Sequence, residues 1–239
     1  MRRFFADVSG EDIVITGDDA HHIANVLRLG CGEIIAICDK LGFDYVCEIV
    51  SVSKNEVLLK AKEKHPSKGE PKTKVTLYQA LLKGDKFEFV IQKAVELGVD
   101  RIVPCDSERC VTKIDAKKAK AKTERWNKIA ESAAKQSGRG IIPKVEMPMT
   151  FKKAAEDFLG RQLPVMAYEE EQHVSLKKVL TQTDATDIGL FIGSEGGFAP
   201  KEAHFLVDGG AKSVTLGKRI LRAETAPIAT LAMIFYERE

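Results

Sequence analysis

A chain of 239 residues with 44% hydrophobic and 30% charged residues has the composition of an ordinary globular protein, long enough for one large domain or two small ones. The net charge of +2 is too small to require a nucleic-acid partner by itself. No run of about 18 apolar residues occurs, and Asp7 interrupts the N-terminal segment before a signal-peptide core could form. We therefore expect a cytoplasmic protein without a membrane span.

The cysteines are odd in number and include no Cys-x-x-Cys pair: Cys31, Cys38, Cys47, Cys105 and Cys110. Because no export signal is found, the expected state is buried, reduced thiols rather than disulfides. The histidines and cysteines show no zinc-ligand spacing, so the sequence indicates no metal site.

The N-terminal part is predicted to form a small β-barrel of about sixty residues, because short β-like runs follow one another with a single helix between them. The runs are Asp12–Thr16, Glu33–Cys38, Phe43–Val52 and Glu56–Ala61. The helix is predicted from an N-cap, an apolar side and a terminal glycine, which are Asp18 or Asp19, then Ile23, Val26 and Leu27, then Gly30. Residues 63–74 are polar and contain two prolines and a glycine, which is typical of a linker, so the predicted domains are 1–66 and 73–239.

After the linker, strands and helices alternate, which predicts an α/β domain with a parallel sheet covered on both faces. The predicted strands are Lys74–Leu82, Arg101–Cys105, Pro164–Tyr168, Ile188–Ile192 and Ser213–Leu216. The predicted helices begin at Asp85 with an apolar stripe and a stop at Gly98, and continue with Ala116–Ser137, Ser175–Thr181, Pro200–Asp208 and a last helix ending near Tyr236. Trp126, the only tryptophan, lies on an apolar stripe and is expected in the core.

Two loops near the C-terminus predict a small-molecule pocket. One reads Gly-Ser-Glu-Gly-Gly-Phe at 193–198 and follows an apolar strand; the other reads Leu-Gly-Lys-Arg-Ile-Leu-Arg-Ala-Glu-Thr-Ala at 216–226 and leads into a helix. Glycines let backbone groups approach a ligand closely, and loops that follow parallel strands meet at one edge of the sheet. No dinucleotide fingerprint, phosphate loop or nucleophile elbow is found.

These two loops resemble the knotted S-adenosylmethionine (AdoMet) site of SPOUT methyltransferases. Within that class the chain is similar to the RsmE-type enzymes, which methylate N3 of a uridine in 16S ribosomal RNA. Further matching segments are His21-His22 with Val26-Leu27-Arg28, Lys-Ala-Val-Glu-Leu-Gly-Val at 93–99, Glu108-Arg109, Arg125-Trp126, and Gln-Ser-Gly-Arg at 136–139. Cys110 departs from the family pattern, in which a serine is expected after the Glu-Arg pair.

The resemblance implies an N-terminal PUA-like β-barrel that binds RNA and a C-terminal SPOUT α/β domain with a deep trefoil knot. General folding rules disfavour knots, and the strand and helix pattern alone would predict an open doubly wound sheet. The resemblance also implies a homodimer whose active sites are each built from two knots, with 16S rRNA or the small ribosomal subunit as partner. The linker would let the barrel of one subunit reach RNA held by the other.

The resemblance implies that backbone atoms of the two loops hold AdoMet. The expected cofactor-binding residues are Gly193, Glu195, Gly196, Gly197, Leu216, Gly217, Ile220, Leu221, Thr225 and Ala226.

Arg222 and Arg139 are the expected substrate-side residues, because a guanidinium can stabilise the negative charge that develops on a uracil ring when N3 loses its proton. Glu131, Glu195 or Glu224 would take that proton, directly or through water. The alternative is that an Arg222–Glu224 or Arg139–Glu131 ion pair only fixes loop geometry.

The residues expected to contact RNA are Arg28, His22, Arg109, Lys113, Gln136, Lys218 and Arg219. The basic run from Lys113 to Lys128 either contributes phosphate contacts or is a solvated helix face.

Three rival functions stay open at this point. The first is a ribose 2′-O-methyltransferase of the same class, and the second is a non-catalytic RNA-binding ribosome-assembly factor. The third is a small-molecule enzyme with an accessory barrel, in which the basic residues are incidental.

Overall fold

The computed structural model describes residues 2–53 and 55–238; Met1, Lys54 and Glu239 lie outside the described residues. The chain divides into two compact units. The smaller unit consists of Met1–Glu70 and Ala134–Ile142, and the larger unit of Pro71–Ala133 and Pro143–Glu239.

The smaller unit is a curled five-stranded sheet around one apolar core. Its strands are β1 (Arg3–Phe5), β2 (Asp12–Thr16), β3 (Ile34–Cys38), β4 (Phe43–Val52) and β5 (Glu56–Pro66). The strand order is β1-β3-β4-β5-β2, and all pairs are antiparallel except β1 with β3. Every strand contributes to the same core, as Ile13 and Ile15 do on alternate positions of β2. Among the described residues β1 and β2 end the ladder, so the barrel is open there.

The helix of the smaller unit differs from its prediction. α1 (Gly17–His21) has Thr16 as its N-cap, and a π-helical turn follows at His22–Val26. The N–H of Leu27 donates to the carbonyl of His22 at 2.9 Å, which is the wider spacing of a π-turn. The wider turn breaks the 3.6-residue period, and Val26 is 60% exposed instead of buried.

The two compact units differ in part from the predicted domains. β5 continues to Pro66, so residues 63–66 are strand rather than linker, and the smaller unit extends to Glu70. The segment Ala134–Ile142, which was assigned to the C-terminal domain, belongs to the smaller unit.

A buried ion pair attaches this segment. Nε and Nη2 of Arg139 donate to Oε1 and Oε2 of Glu70 at 3.0 and 2.7 Å, while the N–H groups of Gly140 and Ile141 also donate to Oε1. Arg3 donates to the carbonyl of Arg139 at 2.8 Å. Composition does not reveal such long-range pairing, which explains why the sequence did not indicate this grouping.

The larger unit is built on a parallel sheet. Its strands are β6 (Lys74–Ala80), β7 (Arg101–Asp106), β8 (Lys144–Val145), β9 (Met149–Thr150), β10 (Leu163–Ala167), β11 (Asp187–Ile192) and β12 (Lys212–Val214). The order is β12-β10-β11-β6-β7-β8, with β9 paired to β7, and every pair is parallel. β11 is buried at every position after its first residue, as expected for a strand covered on both faces.

In the described part of the larger unit, the helices are α2 (Lys86–Leu97), α3 (Ala116–Ser137), α4 (Phe151–Leu159), α5 (Leu176–Thr181), α6 (Pro200–Asp208) and α7 (Thr225–Arg238). The stripe predicted for α2 is buried, and Gly98 ends that helix with φ +112°. Trp126 is buried against Phe87 at 4.6 Å between ring centroids, so its predicted core position is confirmed. β1, β8, β9 and α4 were not predicted.

All five cysteines are free; Cys31 is exposed and the other four are buried. Among the described residues, no helix combines the length and the apolar character needed to cross a membrane. The trefoil knot stays a prediction.

A polar network ties α4 to the sheet. The buried Tyr78 hydroxyl donates to Asp157 at 2.8 Å and accepts from Nε of Arg161 at 3.0 Å, and Arg101 also bonds Asp157. Burial and the bond to Asp157 raise the pKa of Tyr78 to about 12. Burial would raise the pKa of Asp157, but the Tyr78 hydrogen bond and the charges of Arg101 and Arg161 outweigh it, so this pKa lies below its usual range.

Asp157→Asn is expected to lower the free energy of unfolding of the larger unit by about 2 kcal/mol at pH 7, because Arg101 loses the carboxylate it pairs with and Arg161 keeps only Asp187. Because its pKa is depressed, Asp157 stabilises the fold above its unfolded-state pKa of about 3.9, and this stabilisation is lost as the pH falls through the folded-state pKa. Between pH 5 and pH 3 the variant should therefore lose less stability than the wild type. Urea titrations followed by Trp126 fluorescence measure both effects. Asp184→Asn, at an exposed position, is the control; equal pH profiles for the two variants would contradict this account.

Candidate active site

A cavity of about 1050 Å³ opens in the larger unit. Its walls are segments that follow β10, β11 and β12, together with Lys86 and Ala226. Because these strands are parallel, their carboxyl ends lie at one edge of the sheet, which is where α/β folds bind ligands. The volume is at the upper end of the roughly 300–1,000 Å³ typical of small-molecule sites.

The wall after β11 is a tight glycine turn, residues 193–197, which we call the glycine loop. The N–H of Gly197 donates to the carbonyl of Ser194 at 2.9 Å. A Cβ on Gly193 would lie 2.9 Å from the carbonyl carbon of Gly197, and Gly197 itself has φ +70° with the Glu169 carboxylate against its Cα. A side chain at Gly193 would therefore force the turn apart, and one at Gly197 would strain a backbone with positive φ.

The wall after β12 is the segment 215–224, which we call the arginine loop. Gly217 has φ +110°, and a Cβ there would meet nothing within 4 Å. Within the described ranges, the N–H groups of residues 218–221 make no hydrogen bond to another residue. The loop ends where the carbonyl of Arg222 accepts the N–H groups of Thr225 and Ala226 at 2.8 and 2.9 Å, which starts α7 and leaves the Arg222 side chain exposed.

Lys86 holds the arginine loop through Glu224. The two side chains form an ion pair at 3.1 Å, and the Glu224 side chain is only 17% exposed. Burial raises the pKa of Glu224, but its own backbone N–H and the charges of Lys86 and Arg222 outweigh burial, so the pKa lies below its usual range. The sequence analysis gave an Arg222–Glu224 ion pair as the alternative that would fix this loop, and among the described residues the structure pairs Glu224 with Lys86.

The cavity contains most of the expected cofactor-binding residues: Gly193, Glu195, Gly196, Gly197, Leu216, Gly217, Ile220, Leu221 and Ala226. Thr225 is not in the lining; it is exposed and begins α7. Glu195 also accepts the backbone N–H of Lys83 at 2.9 Å.

Two of the four expected catalytic residues are in the lining, namely Arg222 and Glu224. Arg139 is 3% exposed and belongs to the smaller unit, where it pairs with Glu70. Glu131 is half-buried on α3 and is not part of the lining. Arg222 and Glu224 therefore share the lining, and the catalytic roles of all four residues stay predictions.

The expected RNA contacts are all exposed. Lys218 and Arg219 line the cavity mouth, and Lys113 pairs with Asp106 at 2.6 Å. Arg109 donates to the carbonyl of Gly196 in the glycine loop. His22, Arg28 and Gln136 belong to the smaller unit.

The sequence analysis missed the wall after β10. Tyr168, Glu169 and Glu171 line the cavity there, and so does Lys86 at the start of α2. Their position in the sequence could have revealed them. Three glutamates follow a predicted parallel strand and so lie at the sheet edge where the glycine loop was expected. Burial and the charges of Glu170 and Glu169 raise the pKa of Tyr168 to about 12.

The family profile described as an RNA methyltransferase domain matches residues 69–235, and that of an RNA methyltransferase PUA domain matches residues 15–62. The two profiles thus place the chain among RNA methyltransferases with a PUA domain. The chain is 37% identical to Ribosomal RNA small subunit methyltransferase E of Bacillus subtilis, covering 100% of this chain and 98% of the relative. It is 34% identical to the protein of that name in Mesomycoplasma hyopneumoniae, covering 97% of each.

A solved structure of a protein with the same name is similar over nearly the whole chain. Ribosomal RNA small subunit methyltransferase E from Neisseria gonorrhoeae, bound to S-adenosyl methionine, superposes with a TM-score of 0.84 at 30% identity, covering 98% of this chain and 96% of that one. The chain belongs to the RsmE-type family of SPOUT RNA methyltransferases, which confirms the resemblance seen in the sequence.

Lys86→Met should free the arginine loop, because Glu224 then loses its cationic partner. We expect trypsin to cut after Lys218, Arg219 or Arg222 several-fold faster than in the wild type, since cleavage tracks local opening. Lys83→Met is the matched control, because it removes a neighbouring exposed lysine side chain outside the lining. Equal cleavage rates in both variants would show that the ion pair does not hold the loop.

Proposed function

We propose that the protein transfers a methyl group from AdoMet to N3 of a uridine in 16S ribosomal RNA of the small subunit. The observation that carries the proposal is the cavity between the glycine and arginine loops, with backbone donors on one wall and basic side chains at its mouth. Family membership supports both the cofactor and the class of substrate.

The cavity fits AdoMet by three observations. The N–H groups of residues 218–221 are unused by the described part of the protein and can bind polar atoms of the ligand. The space beside Gly217 is open, so the backbone there can be approached closely. On the glycine loop, Gly193 and Gly196 line the cavity with backbone atoms that no side chain covers. When bound, AdoMet supplies a methyl group on a positively charged sulfur, ready for direct displacement.

Arg222 is the proposed catalytic arginine. Its backbone is fixed by the first turn of α7, while its exposed guanidinium lies at the cavity. Loss of the N3 proton places negative charge on the uracil oxygens, and a guanidinium can bind such an oxygen with two donors. The ring must be unpaired or flipped out, at roughly a few kcal/mol, because base pairing hides N3.

The proton acceptor is one of the carboxylates in the lining. Lys86 and Arg222 depress the pKa of Glu224 despite its burial, which weakens its affinity for a proton. Glu195 lines the cavity without such an ion pair among the described residues, and we propose it as the acceptor, directly or through water. Arg139 and Glu131 are assigned no direct role in the reaction.

RNA contacts are proposed for Lys218 and Arg219 beside the cavity and for His22, Arg28, Lys113 and Gln136 elsewhere. All are exposed, and phosphate contacts by such side chains would supply affinity. The protein is proposed to act as a homodimer in the cytoplasm. α7 leaves Met233 and Tyr236 exposed by 45% and 89%, which makes apolar surface available to a second copy.

The test is to incubate the protein with labelled AdoMet and with small subunits or 16S rRNA that lack the modification, and then to identify the labelled nucleoside. AdoMet binding is measured in parallel by calorimetry. We expect label in 3-methyluridine. Label in a 2′-O-methyl nucleoside would favour the ribose methyltransferase, binding without label would mean a different substrate, and absence of both would favour the assembly factor.

Arg222→Lys is expected to lower kcat about 100-fold, because lysine cannot reproduce the two-donor contact to the developing charge. AdoMet affinity should change less than threefold, since the backbone bonds that start α7 are kept. Arg219→Lys, the same change three residues earlier, should act mainly on KM for RNA. Near-normal kcat in Arg222→Lys would remove Arg222 from the mechanism.

A further inference from the structure

A short turn after β7 contacts the glycine loop from outside the cavity. This turn, residues 107–110, is closed by the N–H of Cys110 donating to the carbonyl of Ser107 at 3.2 Å. The Ser107 Oγ and Cys110 Sγ atoms also lie 3.2 Å apart and are buried. The contacts between Ser107 and Cys110 therefore fix the ends of the turn, and Arg109 lies between them in sequence.

Arg109 bonds the glycine loop in both directions. Its Nη1 donates to the carbonyl of Gly196 at 2.9 Å, and its own carbonyl accepts the Ser194 hydroxyl at 3.1 Å. The side chain also packs against the loop, because a Cβ on Gly196 would lie 3.3 Å from Cβ of Arg109. One residue thus contacts the loop through a guanidinium, a carbonyl and an aliphatic stem.

The same turn is bonded to the segment that leaves the glycine loop. The N–H of Glu108 donates to Oε1 of Glu202 at 2.9 Å, while the other oxygen of Glu202 accepts the N–H of Ala199 at 3.1 Å. Glu202 is 4% exposed, so these bonds are shielded from water. The turn therefore holds the glycine loop and the start of α6 together.

We propose that Arg109 is a positioning residue of the AdoMet site, instead of the RNA contact that the sequence suggested. Gly196 and Gly197 line the cavity and have no side chains of their own to keep the loop in place. A loop that must be ordered when the ligand binds lowers affinity, and Arg109 removes that loss by ordering it beforehand. The inference rests on the proposed function, because it takes AdoMet as the ligand.

The test measures AdoMet and S-adenosylhomocysteine affinity by calorimetry without RNA. Arg109→Met keeps the aliphatic stem and removes the donor, and we expect affinity about tenfold weaker, which is the size of one charged hydrogen bond. Arg109→Lys keeps a donor and should restore affinity to within about threefold of wild type. Arg125→Met is the control, because it breaks an exposed ion pair with Glu88 outside the cavity; its affinity should be unchanged.

Hydrogen exchange supplies a readout that does not depend on turnover. In Arg109→Met without ligand, amides 194–197 should exchange at least about tenfold faster, while amides of β10 keep the wild-type rate. Wild-type AdoMet affinity in Arg109→Met would overturn the positioning role of Arg109. If the same variant also bound RNA more weakly, Arg109 would be an RNA contact, as the sequence suggested. Failure of the wild type itself to bind AdoMet would instead overturn the proposed function.

Discussion

The backbone reversal between β11 and α6 is the constraint on which the candidate site depends. Within residues 193–197 the chain turns so tightly that a Cβ on Gly193 would lie 2.9 Å from the carbonyl carbon of Gly197. Glycine solves the steric problem and also bares the backbone, so the feature that permits the turn is the one that lets a ligand approach it. A cavity whose wall is main chain rather than side chains follows directly.

A turn made of glycines has little packing of its own, so neighbouring strands must hold it. Gln79 at the end of β6 donates to the carbonyl of Gly193, the N–H of Lys83 bonds Glu195, and Arg109 after β7 bonds Gly196. These supports come from segments 114, 112 and 87 positions away. They meet because β11, β6 and β7 are adjacent and parallel, so their carboxyl ends share one edge.

The large distance in sequence between bonded residues explains which features the sequence could predict. The stripe of α2, its stop at Gly98, the bounds of α3 and α6, and the two loops all follow from patterns within a few residues. The membership of 134–142 in the smaller unit depends on Glu70, whose partner Arg139 is 69 positions away, and no local pattern records that pair. The Lys86–Glu224 contact and the glutamates after β10 were missed for the same reason.

The two arginines carried over from the resemblance differ in what their surroundings allow. The Arg139 guanidinium is buried on a carboxylate that also accepts two backbone N–H groups, and releasing it would leave uncompensated buried charge at roughly 3–5 kcal/mol. A guanidinium held in this way suits a structural role within the smaller unit. Arg222 has its backbone fixed by α7 and its guanidinium exposed, which suits its proposed role beside a charge that exists only during the reaction. A charge-stabilising residue needs this combination, because pre-positioned donors need little reorganisation as the reaction proceeds.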